Sequence, residues 1–171
     1  DFGDAAIPAY RMSNGNGTTM VPYFNQLAGR PGFDYAVNPY QDSFAIGKQY
    51  AEWLGTALEG EGNVLMLGGP AGATSSAVFL KGFKEGLAAH PGLTLLDENF
   101  IATNWNPADA QKAAAGLIAK YGDTIDGIAS DYGVTTLATV KAFEQAGMAV
   151  PAQATIATSN ELNCKYTEAV A

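Results

Sequence analysis

Beyond residue 60 the apolar positions form short continuous runs separated by longer stretches of helical period. Asn63 to Leu67 reads NVLML between Gly-rich turns, and Leu93 to Leu96, Ile125 to Ala129 and Ala154 to Ala157 repeat that form, as strands buried on both faces do. Their starts lie roughly 30 residues apart, the spacing of βα units in a parallel sheet.

The intervening segments carry helix signals with a mechanism. Asn106 is a good N-cap, Pro107 fits the first helical position, and Asp109 puts a carboxylate where the helix dipole favours it. From there Ala110, Ala113, Ala114, Leu117, Ile118 and Tyr121 form one stripe, and Gly122 ends it. Leu80, Phe83 and Leu87 give the preceding helix a similar face after a polar Thr74-Ser75-Ser76 cap region. A helix over about Asp42 to Leu58 gathers Gly47, Tyr50, Ala51, Leu54 and Leu58, and another runs from Val134 to Gln145. The first 35 residues differ: the IPAY run reads as a strand, followed by turn clusters at Asn14 to Gly17 and Gly29 to Gly32. The expected architecture is α/β, a doubly wound parallel sheet in a three-layer αβα sandwich, preceded by a segment that belongs to something else.

Charge narrows the function. Seventeen acidic and nine basic residues give 171 residues a net charge of −8, so nucleic acid and anionic lipid are not expected partners. Arg11 and Arg30 are the only arginines, which leaves the later chain no bidentate clamp for phosphate or carboxylate. One cysteine, Cys164, and one histidine, His90, exclude an internal disulfide and make a Cys-rich zinc site or a Cys-His dyad hard to build. His90, before a proline at a helix end, reads as a surface cap. With no histidine near the strand tips and no P-loop ending on GGPAGATSS, neither nucleophilic catalysis nor phosphate chemistry has a motif. No enzyme, metal or cofactor is expected.

In an open parallel sheet, ligands bind beyond the carboxyl ends of the strands. Those ends offer Gly68 to Ser76, then Asn104-Trp105-Asn106, Ser130-Asp131-Tyr132 and Ser159-Asn160-Glu161. Aromatic faces and neutral or acidic polar groups suit a polyhydroxylated ligand, and a cationic amine would fit the same groups. Each residue also has a structural reading: Trp105 as a staple ahead of the Asn106 cap, Asp131 and Asn160 as caps, Tyr132 and Glu161 as solvated helix starts.

The phrases AAIPAY, GEGNVLMLGG, FLKGFKEGL before HPGL, NWNPADAQKAAAGLIAKY, DGIASDYG and KAFEQAGMAVP, in that order over about residues 5 to 161, resemble the ribose- and galactose-type periplasmic binding proteins of ABC transporters. The resemblance implies two doubly wound lobes joined by hinge crossings, with sugar in the cleft. It assigns residues 1–39 to the end of the first lobe (last strand Ala6 to Arg11) and a hinge crossing near Tyr35 to Pro39, 40–161 to the second lobe, and 162–171 to the start of a final helix. The chain then reads as a fragment, and a lone second lobe, its cleft face uncovered, would be prone to dimerise.

Carried over position by position, the resemblance assigns ligand contacts to Ser13 and Asn14 after the IPAY run, to Trp105 as the stacking aromatic, and to Asp131, Tyr132 and Asn160. It implies a small sugar or polyol as ligand, ABC permease subunits as partners, and a periplasmic or lipid-anchored extracellular location. Two departures bear on which sugar: Ala77 stands where many sugar binders carry arginine, and Ala157-Thr158-Ser159-Asn160 replaces the usual GFD. The lactose-repressor type of regulator shares this effector-domain fold, so an effector-binding domain is the alternative.

Overall fold

Leu65 and Leu67 point to one side of the central strand and Val64 and Met66 to the other, and all four are fully buried. The computed structural model describes residues 3–156 and builds two cores on that alternation. The strands are β1 (Glu61–Gly68), β2 (Gly92–Leu95), β3 (Ile101–Ala102), β4 (Gly127–Ser130) and β5 (Ala152–Thr155). All are parallel, in the order β2-β1-β4-β5, with β3 also beside β1. β2 pairs with β1 from Glu61 to Val64, and β3 pairs with it at Leu67 and Gly68.

Five helices are described: α1 (Ile7–Gly15), α2 (Ser43–Ala57), α3 (Thr74–Leu87), α4 (Pro107–Tyr121) and α5 (Gly133–Gln145). The face bearing Val64 and Met66 is covered by Tyr50, Ala51 and Leu54 of α2 and by Phe79, Leu80, Phe83 and Leu87 of α3. On the other face Leu65, Leu67 and Ile128 meet Leu117 of α4 and Phe143 of α5. The three-layer doubly wound unit expected from periodicity is present. α2 and α3 cross closely because Gly47 lies against the Phe79 carbonyl and Gly82 against the Phe44 carbonyl, with no room for a Cβ at either position.

Asn106 caps α4 by accepting from the amides of Ala108 at 2.9 Å and Asp109 at 3.3 Å, and Gly122 ends it at φ 60°. Asp42 caps α2 in the same way through Ala45 at 2.9 Å.

The structure corrects several expectations. Residues 6–11 are helical, not a strand: a 3-10 turn (Gly3–Ala6) leads into α1, with Pro8 in the first turn. Among the described residues no strand lies beside this segment, and a helix satisfies its backbone groups internally. Thr74-Ser75-Ser76 is not a capping region, because Ala73 is the N-cap and the three residues already lie in α3. β5 starts two residues earlier than its apolar run, and β3 has no apolar run of its own. His90 is half-buried, its imidazole packed on Gly55 of α2.

Residues 16–41 form an irregular strap with an internal frame. Asp34, 2% exposed, accepts from Arg11 Nε at 2.5 Å and from the Arg30 amide at 2.7 Å. The Asn38 side chain accepts from the Leu27 amide at 2.9 Å and donates to the carbonyls of Pro22 and Asn25 at 3.0 Å each. A parallel bridge joins Phe24 to Tyr40: Phe24 N donates to Pro39 O at 3.1 Å and Gln41 N to Phe24 O at 2.9 Å. The strap is thereby held at the start of α2.

Candidate functional site

The order β2-β1-β4 reverses direction at β1, and an open α/β sheet has its crevice at such a point, beyond the carboxyl ends of the strands. A cavity of about 390 Å³ lies there, within the roughly 300–1,000 Å³ common for small-molecule sites. Ser75 and Phe79 of α3, Trp105 after β3, Asp131 and Tyr132 after β4, and Ile156 after β5 line it from the sheet side. The strap supplies the remaining wall: Phe24, Asn25 and Gln41.

Three side chains and one backbone amide close a ring at its floor. The Gly69 amide donates to Ser76 Oγ at 2.9 Å, and the Ser76 hydroxyl donates to Asp131 Oδ2 at 2.5 Å. Trp105 Nε1 donates to Asp131 Oδ1 at 3.1 Å, and its indole lies flat against Gly69, where any Cβ would collide with the ring. Asn104 and Trp105 adopt φ 53° and 51°, a left-handed conformation that costs a non-glycine residue about 1–3 kcal/mol unless the surroundings enforce it. They do: Thr103, fully buried, anchors the turn through its amide and hydroxyl on the Gly68 carbonyl, and Asn104 Nδ2 holds Asp109 Oδ2 at 2.9 Å.

Asp131 is 7% exposed. Burial pushes its carboxyl above the usual range, against the pull of the Ser76, Trp105 and Gly69 donors, which favour the anion. The capping role open to Asp131 in the sequence is not the one it takes: Tyr132 is the N-cap of α5, and no side chain caps that helix. Tyr132 is fixed by its carbonyl, which accepts from Thr135 Oγ1 at 2.6 Å and Ser130 Oγ at 3.1 Å.

Of the residues expected at a binding site, Trp105, Asp131 and Tyr132 are brought together on this cavity. Ser13 and Asn14 are not: they sit near the end of α1, where Asn14 Nδ2 donates to the Phe33 carbonyl at 3.2 Å. Asn160 lies outside the described residues. Ser75, Ser76, Phe24, Asn25 and Gln41 were not singled out from the sequence as ligand contacts. The serines followed a strand end, which was a usable signal; the strap residues had none, because only the Asn38 frame and the Phe24–Tyr40 bridge bring them to the sheet.

Among the described residues no lysine, arginine or histidine lines the cavity, so none of them would neutralise an anion there. Aromatic faces beside buried acceptors fit an uncharged molecule with an apolar side and hydroxyl groups. A second hollow of about 300 Å³ sits at the opposite ends of β4 and β5, beside Asp123 and Asp126. Asp126 is structural, its Oδ2 accepting the Asn63 amide at 2.7 Å.

A family profile described as "Periplasmic binding protein domain" matches residues 16–169. The "Xylitol-binding protein" of Mycolicibacterium smegmatis is 29% identical over 114 residues, which are 67% of this chain and 32% of that protein. GanP, a glucose-galactose binding protein from Geobacillus stearothermophilus, superposes with a TM-score of 0.79 at 13% identity, covering 96% of this chain and 57% of its own. The periplasmic binding protein component of the arabinose ABC transporter from Shewanella sp. ANA-3, bound to α- and β-L-arabinofuranose, does so with 0.73 at 19% identity, covering 84% and 47%. The chain thus spans about a third of the curated relative and about half of these solved structures.

Proposed function

The chain belongs to the periplasmic binding protein domain family, and we propose that it is the ligand-holding lobe of a solute-binding component of an ABC importer, taking a small neutral sugar or polyol. The observation that carries this reading is the Trp105 indole, held by Asp131 over a cavity with no cationic side chain among its described lining residues. An indole face covers the C–H side of a sugar ring or polyol chain, and the polar groups around it exchange hydrogen bonds with hydroxyls. The names of the relatives support a carbohydrate or polyol ligand.

On this reading the rest of the full-length protein supplies a facing lobe, and closure on the ligand presents the surface that docks on the permease. Ser13, Asn14 and Asn160 would join the site in that closed form. Residence outside the cytoplasmic membrane and pairing of the isolated lobe belong to the same proposal. Exposed Met12 (66%) and Tyr23 (78%) support an interface on the strap side.

Thermal melts test it. Xylitol, D-galactose or L-arabinose at about 100 times Kd should stabilise the chain by about 2.7 kcal/mol, and Trp105→Ala should abolish the rise. Stabilisation by gluconate alone, or an equal rise in Trp105→Ala, would contradict the reading.

A further inference from the structure

Phe24 has φ 83°, a left-handed conformation that a bulky residue rarely adopts. It lines the cavity from the strap wall and stays 40% exposed, so it is accessible to an occupant. Backbone strain of this kind persists only where the surroundings enforce it, and it gathers at sites that hold ligands. The enforcing residues here are 38–41. The Phe24 amide donates to the Pro39 carbonyl at 3.1 Å, and the Phe24 carbonyl accepts from the Gln41 amide at 2.9 Å.

The Asn38 side chain completes the hold. Its Oδ1 accepts from the Leu27 amide at 2.9 Å, and its Nδ2 donates to the carbonyls of Pro22 and Asn25 at 3.0 Å each. Those two carbonyls precede and follow Phe24 in the chain, so one side-chain amide closes the loop in which the strained residue sits. Asn38 itself does not line the cavity. Without its bonds Phe24 can relax to negative φ, and a backbone rotation of that size turns the side chain away from where it now stands. We infer that Asn38 is a positioning residue of the binding site: acting through Phe24, it holds an apolar wall of the strap in place for the bound ligand. The inference rests on reading this cavity as the binding site. It adds that affinity depends on a residue the ligand does not touch, and that the ligand meets Phe24 with C–H groups rather than hydroxyls. A wall already in place spares the ligand the cost of ordering it.

A residue that acts through another leaves a distinctive signature. Asn38→Ala should bind xylitol, D-galactose or L-arabinose, whichever binds the wild type, about tenfold more weakly, and Phe24→Ala by a similar factor. The double variant should be little weaker than either, because both changes remove the same contact. Asp126→Ala, at the opposite end of the sheet, loses the bond to the Asn63 amide and should destabilise the chain without changing affinity. In the wild-type chain the bound compound's C–H protons should show NOEs to the Phe24 ring, a readout that needs no variant to fold. A Trp105 shift without those NOEs overturns the inference and leaves the cavity reading standing. So does an affinity loss in Asn38→Ala no larger than in Asp126→Ala, or one that multiplies in full with that of Phe24→Ala. If no compound moves Trp105, the cavity reading falls and the inference with it.

Discussion

Trp105 and Asp131 lie 26 residues apart in the chain and are joined by one hydrogen bond of 3.1 Å from the indole Nε1 to Oδ1. One follows β3 and the other follows β4, on either side of β1 in the sheet, so the bond spans the point where strand order reverses. The buried carboxylate thus does two things: it accepts from Ser76 beneath it, and it fixes the plane of the aromatic above the cavity.

That arrangement fixes the sign of a pH effect. Burial raises the Asp131 pKa above its ordinary 3.8, so between that value and the raised one the folded chain holds more protons than the unfolded chain. Stability from this group therefore falls as pH rises through that window. Asp131→Asn keeps an acceptor for Trp105 and removes the buried charge. It should melt at or above the wild type at pH 7, with the gap closing as the pH is lowered toward 3.8. A gap that widens on acidification would refute this account. Asp131→Ala, which strands both the indole N–H and the Ser76 hydroxyl, should cost about 1–3 kcal/mol by chemical denaturation at pH 7.

Asp34 provides the opposite limb. The Arg30 amide and then the Arg11 guanidinium hold its pKa below 3.8, so its stabilisation is present above that value and is lost as pH falls through the lowered one. Asp34→Asn should melt below the wild type at neutral pH and converge with it in acid. Parallel melting curves from pH 7 to pH 2 would show that the ion pair does not hold the strap.

Gly69 is the seat of the indole. Gly69→Ala puts a methyl group where the Trp105 ring lies, so the ring must leave Asp131 or the backbone must move. The expected cost is about 1–3 kcal/mol in stability, with a shifted Trp105 emission band. Unchanged fluorescence and stability would mean that the indole does not rest there.

Much of the sheet was legible in the sequence. β1 stands out because a strand buried on both faces needs an unbroken apolar run, and α4 because Asn106, Pro107 and Gly122 each do a terminus-specific job. β3 escaped because two residues carry no period, and it exists through its pairing with Leu67 and Gly68. Ala6 to Arg11 looks like a strand by composition, but a strand needs a neighbour, and none is described beside it. Within the site, Trp105, Asp131 and Tyr132 were visible because they follow strands. Gln41 was not, because what brings it to the cavity is the Asn38 side chain bonding across 11 to 16 residues and the Phe24 bridge.

The Asn106 cap gives a local test of the platform on which Trp105 sits. Asn106→Ala leaves the Ala108 and Asp109 amides unpaired and should cost about 1 kcal/mol, a fall of about 2–4 °C in Tm for a chain of this size. A fall below half a degree would show that solvent replaces the cap at no cost.

The most direct test of the central claim is an NMR titration of the chain with xylitol, D-galactose and L-arabinose, following the two indole N–H signals. Trp53, 49% exposed on α2, lies outside the cavity and serves as the internal control. The account predicts a saturable shift of Trp105 with at least one of these compounds while Trp53 stays in place. Equal movement of both signals, or of neither with any compound, would contradict it.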